Sequence, residues 1–145
     1  MKAVFAGSFD PITIGHVELV RRATALFEHI VVAVGTNSDK RCMFDAEERL
    51  RRTQKAFEGM PTVECIAYEG LTTDLCRKVG AKVLLRGVRD MLDFEYERRV
   101  AEVNRHLAPD IETVLLTATG DTAAISSTMV RELLLHNKAV DNLIP

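Results

Sequence analysis

The feature that most constrains the fold of this chain is a regular alternation of short apolar runs and segments with helical periodicity. Five runs of β-branched or apolar residues are separated by such helical segments, and runs of this kind predict buried strands. Right-handed crossovers between parallel strands place helices on both faces of a sheet. The pattern therefore predicts a doubly wound α/β domain with a five-stranded parallel sheet, its strands at Ala3–Ala6, Ile30–Val34, Val63–Ala67, Val83–Leu85 and Thr113–Thr117.

No linker, repeat or low-complexity tract interrupts the chain, so we expect a single domain over residues 1–145. We expect its sheet to have the Rossmann-like strand order 3-2-1-4-5. Asp45 with Glu48 three residues later predicts a helix start, and Pro109 predicts the end of the long helix DFEYERRVAEVNRHL. Ligands of such sheets bind outside the carboxyl ends of the strands, so the loops that follow the strands should carry the site.

Charge and composition exclude several classes of protein. The formal net charge is −2 and the pI is about 6.1, whereas a chain that coats nucleic acid usually has a basic excess. No apolar run approaches 18 residues and no signal-peptide pattern is present, which predicts a cytoplasmic protein without nucleic-acid or membrane partners. Cys42, Cys65 and Cys76 lie far apart, so we expect ordinary thiols rather than a disulfide or metal site.

The loop after the first strand reads AGSFDPITIGH and matches neither GxGxxG nor the Walker phosphate-binding pattern. Gly7 allows a tight turn or a close approach to a ligand. Ser8 offers a hydroxyl, and His16 falls in the first turn of a helix, where an anion is favoured. The alternative is that Ser8, Asp10 and Thr13 only cap and turn the chain, with His16 a partly buried helix residue. These residues alone leave both interpretations open.

Anion donors also follow three of the other strands. Lys40 and Arg41 come after the second strand. Arg86 ends the fourth strand, and Gly87 separates it from Val88 and Arg89; two guanidinium groups at a strand's carboxyl end can bind oxyanions in a bidentate manner. The loop after the fifth strand leads to Ser126–Thr128 at a helix start, where hydroxyls act as caps or as phosphate ligands. Each signal alone also fits a surface pair or a cap. Together, at one sheet edge, they predict a polyphosphate site.

Three stretches, GSFDPITIGH, LLRGVRDMLDFEYE and ISSTMVRE, closely resemble the bacterial phosphopantetheine adenylyltransferases. The first carries the TxGH element of the wider nucleotidyltransferase superfamily, and RGVRDMLDFEYE is much more specific to this family. The resemblance implies transfer of AMP from ATP to 4'-phosphopantetheine, which yields dephospho-coenzyme A and pyrophosphate. It also implies Mg²⁺ carried with ATP, a homohexamer, and coenzyme A as a candidate feedback ligand.

The resemblance assigns roles to matching positions. The sequence shows no carboxylate cluster, so we expect Mg²⁺ to lie mainly on the phosphates of ATP, and whether the protein adds a ligand stays open. The positions with an implied catalytic role are His16, Lys40, Arg89, Ser127 and Thr128. Those implied to bind the acceptor are Ser8, Lys40, Thr72 and Arg86. Those implied to bind ATP are Ser8, Phe9, His16, Gly87, Val88, Arg89, Glu97, Thr122, Ala123, Ala124, Ile125, Ser126, Ser127 and Thr128.

A general acid and base pair is absent from these motifs, and this reaction does not require one. A phosphomonoester has its second pKa near 6, so the attacking oxygen is mostly ionised at pH 7. We therefore expect catalysis by positioning and electrostatics, with His16 and Lys40 acting mainly on the transition state. Two alternatives stay open: an adenylyltransferase for another phosphomonoester such as nicotinamide mononucleotide, and a nucleotide-binding module without turnover.

Overall fold

The strands form one parallel sheet in the order β3-β2-β1-β4-β5 in the computed structural model, which describes residues 1–37 and 41–145. The predicted fold class and strand order are therefore confirmed. The strand order reverses between β1 and β4, because the chain first adds strands on one side of β1 and then on the other. The strands are β1 (Lys2–Gly7), β2 (His29–Gly35), β3 (Val63–Tyr68), β4 (Val83–Val88) and β5 (Glu112–Thr117).

Helices connect consecutive strands, and most begin at a side-chain cap. Within the described residues the α-helices are α1 (Ile14–Ala23), α2 (Ala46–Ala56), α3 (Thr72–Val79), α4 (Met91–Leu107) and α5 (Ser127–Leu135). The predicted cap of α2 is confirmed, since the Asp45 side chain accepts a hydrogen bond of 2.8 Å from the backbone N–H of Glu48. None of the helices in residues 1–37 and 41–145 is both long and apolar enough to span a bilayer.

The central strands β1 and β2 are buried because helices cover the sheet on both faces. Alternate residues of a strand point to opposite faces, so Phe5 packs with α1 and α2 in one cluster. Val4 and Ala6 pack on the other face with Leu75 of α3. This two-sided burial explains why β1 and β2 are continuous apolar runs in the sequence.

Strand β4 is longer than its apolar run predicts. The apolar run ends at Leu85, but pairing with β5 continues through Arg86 and Gly87 to Val88, so Arg86 lies inside the strand rather than at its end. Gly87 fits here because α1 lies very close: a Cβ at this position would collide with the Leu19 side chain. Backbone hydrogen bonds to the neighbouring strand thus extend β4 beyond the end of its apolar run.

Candidate active site

A cavity of about 310 Å³ opens at the carboxyl edge of the sheet, between the ends of β1 and β4. Its walls come from the loop after β1, the first turn of α1, the end of β4, one side of α4 and the start of α5. This is the point of strand-order reversal, where doubly wound sheets bind ligands. Charged and hydrogen-bonding side chains that line it include His16, Arg86, Arg89, Asp93, Glu97 and Arg131.

His16 is held in one orientation by the helix that carries it. Thr13 caps α1, and the backbone N–H of Thr13 donates to Nδ1 of His16 at 3.0 Å. A ring nitrogen that accepts a backbone N–H carries no proton, so the neutral imidazole has its proton on Nε2. Both interpretations of this loop therefore hold in part: Thr13 is a cap, and the same cap fixes the tautomer of a histidine in the cavity.

Aromatic rings fix the plane of the His16 imidazole. Phe9 lies edge-on to it with ring centroids 5.1 Å apart, and Phe5 lies at 6.2 Å. Phe9 adopts a φ of 48°, in the left-handed region that non-glycine residues rarely occupy. Such a conformation persists only where the surroundings hold it, and here it places the Phe9 ring against the histidine.

The environment of His16 disfavours its charged form. Burial, followed by the charges of Arg89 and Arg86, lowers the pKa of His16 to about 4. The imidazole is therefore neutral at pH 7 and can donate a hydrogen bond from Nε2 without adding a proton to a ligand.

We expect the His16 resonance in an NMR pH titration to move with a midpoint near pH 4, and His16→Ala assigns that resonance. The sign of the linked stability follows from the lowered pKa. Between about pH 6.5 and pH 4 the unfolded chain binds a proton that the folded chain does not, so stability is lost as pH falls through this range. A midpoint near 6.5 would show that His16 is charged in the cavity under mildly acidic conditions. That result would contradict a neutral imidazole held by burial and by the neighbouring arginines.

Arg86 projects from β4 between two oxygen-bearing partners. Its Nε and Nη2 donate to the two carboxylate oxygens of Glu97 at 2.9 and 2.8 Å, and its Nη1 donates to the carbonyl of Ala6 at 2.6 Å. Burial alone would lower the pKa of Arg86, but the hydrogen bonds and charge of Glu97 turn the shift upward. Glu97 on α4 is nearly inaccessible, so this bidentate pair sets the direction in which the guanidinium points.

Arg89 and the start of α5 add a positive charge and further hydrogen-bond donors to the cavity. Arg89 forms an ion pair of 3.0 Å with Asp93, one turn into α4. Ser126 is the cap of α5 and accepts from the Met129 N–H, while the Ser127 hydroxyl donates to the carbonyl of Pro11. The backbone N–H groups in the first turn of a helix have no carbonyl partner within the helix. The start of α5 therefore favours binding of an anion.

A second cavity of about 300 Å³ lies on the other side of β1, between the ends of β2 and β3 and the start of α3. It is lined by Gly35, Cys42, Tyr68 and Thr72. The two cavities share the Ala6–Ser8 segment and the Arg86 side chain. The edge of the sheet thus presents two neighbouring compartments with a common wall.

Comparison with known proteins assigns the family. The cytidylyltransferase-like family model matches residues 4–133. The phosphopantetheine adenylyltransferase of Flavobacterium psychrophilum is 44% identical over 144 residues, which is 99% of this chain and 95% of that protein. Those of Flavobacterium johnsoniae and Leptospira biflexa are 46% and 44% identical, over 99% of this chain and 94% and 89% of theirs. This chain belongs to the phosphopantetheine adenylyltransferase family.

A more distant structural relative supports the same fold. The crystal structure of the lipopolysaccharide core biosynthesis protein from Thermoplasma volcanium GSS1 superposes with a TM-score of 0.57. The match covers 82% of this chain and 96% of that one, with 18% sequence identity. The phosphopantetheine adenylyltransferase family therefore shares its sheet architecture with proteins of little sequence similarity.

Most positions expected from the resemblance to phosphopantetheine adenylyltransferases are brought together. Two predicted nucleotide contacts, Ala123 and Ala124, do not line the cavity, although Thr122 and Ile125 beside them do. Lys40 lies outside the described residues. Predicted residues lining the first cavity are Ser8, Phe9, His16, Arg86, Gly87, Val88, Arg89, Glu97, Thr122, Ile125, Ser126, Ser127 and Thr128, and those lining the second are Ser8, Thr72 and Arg86.

Three charged residues that line the first cavity, Asp10, Asp93 and Arg131, were not predicted from the sequence to bind a ligand. Arg131 donates from α5 to the backbone carbonyl of Asp10 at 2.8 Å and to the Thr128 hydroxyl at 3.1 Å. Asp93 pairs with Arg89. Helical spacing could have found Arg131, since residues three and four apart share a helix face and Arg131 follows Ser127 and Thr128 at those distances.

Proposed function

We propose that this chain transfers the adenylyl group of ATP to 4'-phosphopantetheine, forming dephospho-coenzyme A and pyrophosphate in coenzyme A biosynthesis. The observation that carries the proposal is the pair of cavities that share Ser8 and Arg86. An enzyme that joins two anionic molecules needs a compartment for each and donors at their boundary. Membership of the phosphopantetheine adenylyltransferase family supports the same reaction.

We assign ATP to the first cavity and the acceptor to the second. The first contains the N-terminus of α5, His16 and Arg89, which together can bind a triphosphate. The second is lined by Tyr68 and Thr72, and it shares Arg86 with the first cavity. An arm with a terminal phosphate fits this arrangement, with its phosphate at Arg86 and the rest of the molecule toward α3.

The reaction then requires no general base. The acceptor phosphate is mostly a dianion at pH 7, and one of its oxygens attacks the α-phosphorus of ATP. The new bond forms as the bond from the α-phosphorus to the pyrophosphate oxygen breaks, and no proton needs to move. His16 donates from Nε2 to the phosphoryl oxygens while it stays neutral, and Arg86 and Arg89 offset the charge of the two substrates. We also assign a catalytic role to Lys40 from the family resemblance alone.

Magnesium enters this scheme as part of the substrate. Three acidic side chains line the ATP cavity, and each has a donor partner: Asp10 accepts backbone N–H groups, Asp93 pairs with Arg89, and Glu97 pairs with Arg86. No group of three or more metal-binding side chains occurs in residues 1–37 and 41–145. We therefore propose that Mg²⁺ is carried on the phosphates of ATP rather than on a protein site.

The direct test is pyrophosphate release with ATP and each of three acceptors. We expect release with 4'-phosphopantetheine, accompanied by dephospho-coenzyme A in the product mixture. Release only with nicotinamide mononucleotide or a sugar-alcohol phosphate would indicate a different acceptor specificity. ATP binding without release in any mixture would indicate a nucleotide-binding module.

We further propose a cytoplasmic homohexamer that contacts its copies through α4. Three apolar side chains on one face of this helix are exposed: Leu92 by 83%, Tyr96 by 64% and Val103 by 59%. A stripe of this size, at spacings of four and seven residues, is unusual on a monomer and fits a second copy of the chain.

We expect sedimentation to give a species about six times the 16.2 kDa of one chain. The double variant Leu92→Glu and Val103→Glu should shift it to smaller species, because charges cannot be buried unpaired in an apolar contact. Leu26→Glu, at a residue exposed by 61% on the turn after α1, is the matched control. A monomeric wild-type chain, or a double variant that stays hexameric, would remove this face as the interface.

A further inference from the structure

We propose that Asp10 is a positioning residue that joins the acceptor side of the site to the ATP side. This inference rests on the proposed function and adds a residue that the family resemblance did not assign. Asp10 follows Phe9 in the loop after β1, and only 4% of its surface is exposed. A buried carboxylate needs hydrogen-bond partners. The partners of Asp10 show which segments of the chain it positions.

The partners of Asp10 lie far along the chain. Its Oδ2 accepts the backbone N–H of Met43 at 2.8 Å, and its Oδ1 accepts that of Phe44 at 2.9 Å. Cys42, the residue before Met43, lines the acceptor cavity. Asp10 lies in a turn, as the capping interpretation predicts, but its carboxylate binds a segment 33 and 34 residues away, and the cap of α1 is Thr13.

The same residue is bound from the ATP side. Nη1 of Arg131 donates to the Asp10 carbonyl at 2.8 Å and lies 3.9 Å from its Oδ2. Arg131 is on α5, whose first turn faces the ATP cavity. Asp10 thus contacts a helix of the nucleotide side and a loop of the acceptor side at once.

A second buried charge holds the segment from its opposite side. Arg49 of α2 is 4% exposed and donates to three backbone carbonyls: those of Phe44 at 3.0 Å, Ser8 at 2.8 Å and Gly35 at 2.7 Å. The Phe44 backbone is therefore bound on its N–H by Asp10 and on its carbonyl by Arg49. Ser8 and Gly35 both line the acceptor cavity, so the two charges fix the position of its wall relative to β1 and β2.

The consequence for catalysis concerns alignment rather than contact with a reacting atom. In-line transfer is sensitive to displacements near 1 Å, so a wall that moves relative to Ser8 misplaces the acceptor. Loss of the Asp10 carboxylate should therefore weaken productive acceptor binding, while the Asp10 backbone carbonyl still accepts from Arg131 on the ATP side.

The test is Asp10→Asn, which keeps the size of the side chain but leaves one oxygen for two N–H donors. We expect the KM for 4'-phosphopantetheine to rise about tenfold and the KM for ATP to change less than twofold. Hydrogen exchange at the Met43 or Phe44 amide should accelerate in the same variant, with other slow amides unchanged. Asp45→Asn is the matched control, since the Asp45 side chain caps its own helix by accepting from the Glu48 N–H and should leave both KM values unchanged.

If Asp10→Asn does not fold, Met43→Pro removes one of the two donors and leaves Asp10 in place, and it should raise the acceptor KM in the same direction. Wild-type protein without turnover on 4'-phosphopantetheine would overturn the proposed function itself. An active wild type whose Asp10→Asn variant matches Asp45→Asn in both KM values would overturn the positioning role alone. A uniform rise in hydrogen exchange across the sheet would also overturn it, because that result indicates a purely structural residue.

Discussion

Replacing His16 by alanine is expected to lower kcat by about 10²- to 10³-fold and to change the KM for ATP by less than about threefold. The reason is that Nε2 of His16 is a fixed neutral donor, oriented by the Thr13 N–H on Nδ1 and by the Phe9 ring. Such a donor gains strength as charge develops on the phosphoryl oxygens and contributes less to the ground state. Steady-state kinetics with both substrates varied gives the two constants separately.

His29→Ala provides the control for this experiment, because His29 is exposed at the amino end of β2, away from the cavities. It should leave kcat and both KM values close to those of the wild type. A His16→Ala enzyme with unchanged kcat and a weakened affinity for ATP would show that His16 binds substrate and transition state equally, which contradicts the role proposed here.

Breaking the Arg86–Glu97 pair is expected to have the largest effect on stability. Replacement of Arg86 by methionine leaves the Glu97 carboxylate, with 8% of its side chain exposed, without its bidentate partner. The removal of one member of a fully buried pair typically costs about 3–5 kcal/mol in free energy of unfolding, and we expect a smaller loss here because the Arg86 side chain is 33% exposed. Denaturant unfolding measures this loss, and the KM for the acceptor should rise in the same variant because Arg86 borders the second cavity.

A double-mutant cycle separates the pair from the rest of the site. Arg86→Met combined with Glu97→Met should cost less than the sum of the two single changes, since the double variant leaves no buried charge unpaired. Arg98→Met with Glu95→Met, an exposed pair on the same helix α4, is the matched control and should show coupling of less than about 1 kcal/mol. Additive effects at Arg86 and Glu97 would mean that the two side chains do not act as a unit.

Much of the fold could be predicted from the sequence because the apolar runs, the helical periodicity and their regular alternation all indicate the same α/β architecture. The apolar runs near Val4 and Val31 are buried on both faces, which is the condition that makes a parallel strand recognisable. The extension of β4 through Arg86 could not be predicted from hydrophobicity, since it depends on pairing with β5. Pairing with a neighbouring strand, rather than the hydrophobicity of the local residues, determines where β4 ends.

The candidate site divides in a similar way. Residues in contiguous motifs, such as Ser8, His16 and Arg89, could be placed at one edge of the sheet from topology alone. The positioning role of Asp10 could not be predicted from the sequence. Its partners are the backbone N–H groups of Met43 and Phe44, more than 30 residues away, and a backbone group can belong to any residue type except proline. Side chains that bind distant backbone groups are invisible to motif reasoning for this physical reason.

In the proposed reaction the acceptor phosphate attacks the α-phosphorus of ATP directly, in a site that aligns the two substrates across Ser8 and Arg86. The stereochemistry at that phosphorus is the measurement that tests this direct attack. With a single diastereomer of ATP that carries sulfur on the α-phosphorus, one in-line displacement must yield the dephospho-coenzyme A analogue with inverted configuration. Inversion is the result that this description predicts, and retention, which requires a covalent adenylyl-enzyme and a second displacement, would contradict it.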